Sequence, residues 1–159
     1  MTETKIEAYI KKMFIGNDLQ NALEFVAFLR ENGMIFERGT GYWADKLYWM
    51  IKYHNGYVCF ILIDNEKIND WIIWSDDSGS ECFTDFSINE HMKKIAWENV
   101  DFCGNCGSCE HSGGTSKIIF GKNFDKVCIT TFKFINPNDE NLNCLKELVQ
   151  IRMKGILNE

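Results

Sequence analysis

Between Met34 and Ser75 the apolar residues stop recurring at helical spacing and follow the two-residue period of strands, and this change constrains the fold more than any other feature. Tyr48-Trp-Met-Ile-Lys-Tyr53 and Tyr57-Val-Cys-Phe-Ile-Leu-Ile63 flank Asn55-Gly56, a dipeptide suited to the positive φ angles of a tight type I′ turn, and predict a hairpin. Trp71 to Trp74 predicts a third strand after a polar turn at Asp64 to Asn69, and the stretch from Ile35 to Trp43 an earlier edge strand. Neighbouring residues of a strand point to opposite sides. Trp49, Ile51 and Tyr53 thus oppose Tyr48 and Met50, Phe60 and Leu62 oppose Cys59 and Ile61, and Trp71 opposes Ile72. Both faces are apolar. Helices can cover one, and the second needs further helices, a partner or a small-molecule ligand.

The flanking segments are helical. Residues 1–33 form an N-terminal layer of two helices: Thr4 with Glu7 reads as a capping box before Ile6, Tyr9, Ile10, Met13 and Phe14, and Leu19, Ala22, Leu23, Val26 and Leu29 make a second apolar stripe. After the meander at 34–75, Ser87 with Glu90 caps a helix over 87–100 in which His91 sits on or near the apolar stripe as a packed residue. A cysteine- and glycine-rich loop spans 102–116. Lys117–Phe120 and Val127–Phe134 then form a hairpin over 117–134, joined by Gly121-Lys-Asn-Phe-Asp125. Asn136 as cap and Pro137 as first helical residue open a last helix over 137–155, ended by Gly155. At 159 residues, without repeat or linker, the chain is expected to form a single α+β domain. Its antiparallel meander would have about five to six strands, with about four helices packed on it.

A net charge of −6 opposes attraction to phosphate backbones and anionic lipid, so no nucleic acid is expected as partner. No segment reaches the ~18 apolar residues of a membrane span, and the first residues lack a basic start followed by an apolar run. The expectation is a cytoplasmic protein without a membrane partner. Seven cysteines, an odd count, point to reduced thiols rather than a disulfide frame.

Chemistry concentrates in Phe102-Cys-Gly-Asn-Cys-Gly-Ser-Cys-Glu-His-Ser-Gly-Gly114. Cys103, Cys106 and Cys109 stand at two-residue gaps that let a backbone turn around an ion, helped by Gly104 and Gly107. Zinc takes four ligands, and Cys128, on a strand folding back toward the loop, is the preferred fourth; Cys82, Cys144 and His111 are the substitutes. An iron–sulfur cluster fits less well, because the bacterial motif continues with a fourth cysteine three residues on and a proline. A catalytic thiol would need a base, and only His54, His91 and His111 are present. Cys59, among dense apolar strand residues, reads as a small core residue.

The second half resembles a group of small bacterial cytoplasmic proteins of the clostridial type. It carries a Cys/Gly loop, then Ile119-Phe-Gly-Lys-Asn-Phe-Asp-Lys-Val-Cys128, then Asn136-Pro137 before Leu145-Lys-Glu-Leu-Val149. The resemblance implies a free-standing bacterial protein. It carries no established activity and assigns no catalytic residue.

Two functions follow as expectations. The first is a non-enzymatic domain with a structural zinc site at Cys103, Cys106, Cys109 and Cys128, four thiolates leaving no open position for water. The second is a sensor or regulatory module that binds a small, largely apolar ligand in an aromatic pocket of Trp43, Tyr48, Trp49, Trp71 and Trp74.

Overall fold

The computed structural model describes residues 5–39, 47–64, 66–75, 83, 88–104 and 113–157. Helices α1 (Ile6–Met13) and α2 (Gly16–Glu31) precede strands β1 (Ile35–Arg38), β2 (Leu47–Tyr53), β3 (Gly56–Ile63) and β4 (Trp71–Ser75). Then come α3 (Glu90–Glu98), β5 (Val100–Phe102), β6 (Thr115–Ile119), β7 (Lys122–Ile135) and α4 (Asp139–Leu157). The fold is α+β, and its sheet is antiparallel throughout, ordered β1-β2-β3-β4-β7-β5 with β6 also on β7. The seven strands among the described residues exceed the expected five to six. The addition is the three-residue β5, which is too short for a periodic signal; β7 is also longer than expected.

One apolar face of the sheet carries the helices. Trp49, Ile51, Cys59, Ile61, Ile63, Trp71, Ile73, Phe132 and Phe134 share it by register and are buried in one continuous core. Tyr9 of α1 packs on Trp49 with ring centroids 5.5 Å apart, and Phe14 and Phe25 meet the Trp71 ring at 5.3 and 6.5 Å. An eight-residue helix such as α1 does not persist alone in water, so its buried Ile6 and Ile10 and the adjoining Phe14 hold it, each contributing about 1.5–3 kcal/mol.

A bulge in β3 changes which residues face the helices. Ile51 pairs with Cys59 and Lys52 with Tyr57, which leaves Val58 as the extra residue. Val58 and Cys59 are therefore both buried, and Tyr57 turns to the opposite face, its ring 5.8 Å from that of Phe60.

β7 organises the second half. Phe132 pairs with Ser75 of β4 and with Val100 of β5, while Val127 pairs with Phe102 of β5 and Thr115 of β6. β4 and β6 thus lie end to end along one edge of β7, with β5 on the other. Lys126 and Thr131 take left-handed conformations (φ 59° and 69°) where the pairing of β7 with β6 and β5 shifts register. Lys117 Nζ donates to Thr131 Oγ1 at 2.6 Å, and Phe83 packs between Phe120 and Phe132.

Several local expectations shift by a few residues. The β2–β3 turn is His54-Asn55, with His54 at φ 52°; Gly56 already pairs with Tyr53, and a Cβ there would come within 2.9 Å of Ile156. Both positive φ angles of a two-residue hairpin turn occur instead at Phe120-Gly121, so β7 runs through the segment expected to be a loop. α1 is capped by Lys5 without a side-chain bond, because Glu7 receives Arg30 instead; Thr4 lies outside the described residues. Asn89 caps α3, accepting from the Met92 amide at 2.8 Å, and Ser87 lies outside the described residues. Asn138, not Asn136, caps α4, which runs through Gly155 to Leu157. Asn136 (φ 47°) instead exchanges two hydrogen bonds with the Trp71 backbone. His91 is exposed and meets Glu140 at 3.4 Å, so it is not a packed residue. No helix among the described residues is long and apolar enough to cross a membrane.

Candidate functional site

The second face of the sheet has its own apolar layer. Tyr48, Met50, Phe60, Leu62, Ile72 and Trp74 alternate with the core residues along β2, β3 and β4 and stand outside the continuous core. Tyr48 and Trp74 are nonetheless buried, and the other four are half-buried. Gly39 explains part of this. Its amide donates to the Tyr48 carbonyl, and a Cβ at Gly39 would fall within the Tyr48 ring, so the ring covers bare backbone.

Of the five rings expected to line one pocket, the four described ones divide between the two faces of the sheet. Trp49 and Trp71 face the helices, each 2% exposed, while Tyr48 and Trp74 face the other way; Trp43 lies outside the described residues. Two-residue alternation alone separates them.

A polar cluster borders the second face where β4, β7 and β5 meet. Lys133 pairs with Trp74 and places Nζ 5.6 Å from the centre of its ring. Asp101, the middle residue of β5, accepts from Thr130 Oγ1 at 3.4 Å, and the same hydroxyl lies 3.4 Å from Cys128 Sγ. Partial burial pushes the Asp101 carboxyl above the ordinary aspartate range. Lys133 and hydrogen bonds from Thr130, Cys128 and Trp74 act against this. Such a carboxyl accepts when ionised and can donate when protonated. Sequence spacing does not single out Asp101. The only trace is a lone acid flanked by Val100 and Phe102, and its partners Thr130 and Lys133 are joined to it through β7, about thirty positions away.

Of the expected zinc ligands, Cys103 and Cys128 are described, and Cys106 and Cys109 lie outside the described residues. The Cys103 amide donates to the Lys126 carbonyl at 2.7 Å, which seats the start of the loop on β7 two residues from Cys128. Among the described residues no three His, Cys, Asp or Glu side chains converge as a metal requires. Of the substitutes, Cys144 is buried, with its thiol pushed up to about 12 chiefly by burial and then by Glu147; Cys82 and His111 lie outside the described residues. Cys59 is a core residue, as expected.

The chain matches no protein-family model, no curated protein and no solved structure.

Proposed function

We propose that this protein is a small-molecule-binding module whose ligand lies on the sheet face opposite the helices. Its apolar body would rest on Met50, Phe60, Leu62 and Ile72, and its polar end would meet Asp101 beside Trp74 and Lys133. The supporting observation is an apolar layer separate from the core and bordered by a half-buried carboxyl with a raised pKa. Ligand sites combine apolar walls with a few placed polar groups in this way. The test is thermal unfolding against a library of small aromatic and aliphatic acids, amides and alcohols. A compound that raises the midpoint of the native chain, but not of Asp101→Leu and Trp74→Leu variants that still fold, would support the assignment. Equal stabilisation of all three by every active compound would remove it.

A second reading rests on the Cys103 to Lys126 hydrogen bond, which brings the cysteine loop to the strand that carries Cys128. In that reading Cys103, Cys106, Cys109 and Cys128 hold a zinc ion that fastens the loop without taking part in turnover. The two readings meet at Cys128, whose thiol proton bonds Asp101 in the first and is given up to the metal in the second.

A further inference from the structure

We infer that the cleft between α2 and α4 binds a small zwitterion, with the ligand's ammonium group at Glu24 and Asp139 and its carboxylate at Lys146. The site lies in the helix layer, on the other side of the sheet from the Asp101 cluster, and does not depend on the function proposed for that cluster. Asn21 of α2 donates to Asp139 at the start of α4, and Lys146 Nζ of α4 lies 5.7 Å from the centre of the Phe28 ring on α2. The second contact follows the first by seven residues along both helices, so α2 and α4 run in the same direction and face each other over about 10 Å. Between these two anchors they leave a cleft of about 190 Å³, the room of about six water molecules, with buried Leu142 in its wall.

The charges lining this cleft do not answer one another. Glu24 accepts from Gln20 at 3.2 Å and Asp139 from Asn21, both neutral amides. Among the described residues no cation lies within ion-pair distance of either carboxylate, and no carboxylate within that distance of Lys146. Two acids and one base thus share a concavity, already positioned by their neighbours but unneutralised. Glu24 and Asp139 are exposed and Lys146 is half-buried, so a solute reaches all three from solvent. A bare anion at Lys146 would meet both carboxylates and a chain of net charge −6, and a bare cation would leave Lys146 unanswered. A neutral molecule carrying both charges meets neither obstacle and makes charge-assisted hydrogen bonds at both ends. Asn21 and Asn143 line the same cleft and offer amide donors and acceptors between them. The ligand chemistry is therefore an ammonium and a carboxylate on one small molecule, an α-amino acid or an ω-amino acid with its charges further apart.

The experiment titrates the whole chain, separately, with glycine, 4-aminobutanoate, methylammonium chloride and sodium acetate at constant ionic strength. The 15N-resolved side-chain amide signals of Asn21 and Asn143 are followed. Saturable movement with at least one zwitterion is expected, glycine marking an α-amino acid site and 4-aminobutanoate an ω-amino acid site. That zwitterion should bind at least about tenfold more tightly than methylammonium or acetate, each of which carries one of its two charges. Lys146→Met, which keeps the stem near the Phe28 ring, and Glu24→Gln should each lower its affinity by a similar factor. Amide signals that stay still with both zwitterions overturn the proposal, as does a zwitterion that binds no more tightly than methylammonium or acetate, or equally well to Lys146→Met. The comparison of the four solutes is read on the native chain, so the outcome stands even if the variants fail to fold.

Discussion

Arg152, 1% exposed in the last turns of α4, donates from Nε to the carbonyl oxygen of Tyr57 at 3.1 Å. Tyr57 is the residue just before the β3 bulge, where the ladder is interrupted and a backbone carbonyl needs another donor. A helix arginine thus fixes the irregularity that sends Tyr57 to the second face.

Replacing Arg152 by methionine keeps much of the stem but takes this donor from a part-buried carbonyl. The expected loss is about 1.5–3 kcal/mol in chemical denaturation. The Tyr57 amide and its neighbours should also exchange faster with solvent. Unchanged stability and exchange would show that the bulge holds itself.

Gly39→Ala places a methyl group where the Tyr48 ring lies. Overpacking of this kind costs about 1–3 kcal/mol. Combining it with Tyr48→Ala should cost less than the sum of the two single changes, since the second removes the obstacle; additive costs in the double-mutant cycle would contradict the contact.

Asp101 has its folded pKa raised, first by burial. The folded chain therefore holds the proton more tightly than the unfolded chain, and stability falls as pH rises from the ordinary aspartate value of about 3.9 through Asp101's own higher value. Asp101→Asn removes this dependence. The variant's stability relative to the native chain should rise across that window and level off above it, measured by denaturant midpoints at a series of pH values.

Glu7 behaves in the opposite sense. The hydrogen bond from Arg30 lowers its pKa against the effect of burial, so its contribution is present above the unfolded value and lost as pH falls through the folded one. The pair is about one-third exposed, and solvent screening limits it to about 0.5 kcal/mol. Glu7→Gln should lower stability by that amount at neutral pH and by nothing in acid, and the loss should shrink in high salt.

If the cysteine loop is fastened by zinc, elemental analysis of purified protein should find about one zinc per chain. Cys128→Ser and Cys106→Ser should each abolish it, and a chelator should lower the thermal midpoint of the native chain. Metal-free protein with an unchanged midpoint would leave these thiols without that role.

How much was legible depended on range. The two N-terminal helices, the β2–β3 pair, β4 and the final helix follow from spacing, because each depends on residues within one turn or one hairpin of each other. Caps and turns were misplaced where a nearby residue of the same chemistry took the position, as Asn138 did for Asn136. Glu7 was diverted from its cap by Arg30, 23 residues away. Of the candidate site, alternation correctly opposed Trp49 to Tyr48, but nothing local joined Asp101 to Thr130 and Lys133.

By itself the sequence determined the α+β class, the strand-rich middle and the presence of two apolar sheet faces, since periodicity is a property of neighbouring residues. The tertiary structure alone decided which face the helices cover, where β3 and β7 depart from regular pairing, and which polar groups meet at Asp101. Those outcomes depend on contacts between distant segments, and one inserted bulge residue reverses the facing of every side chain beyond it.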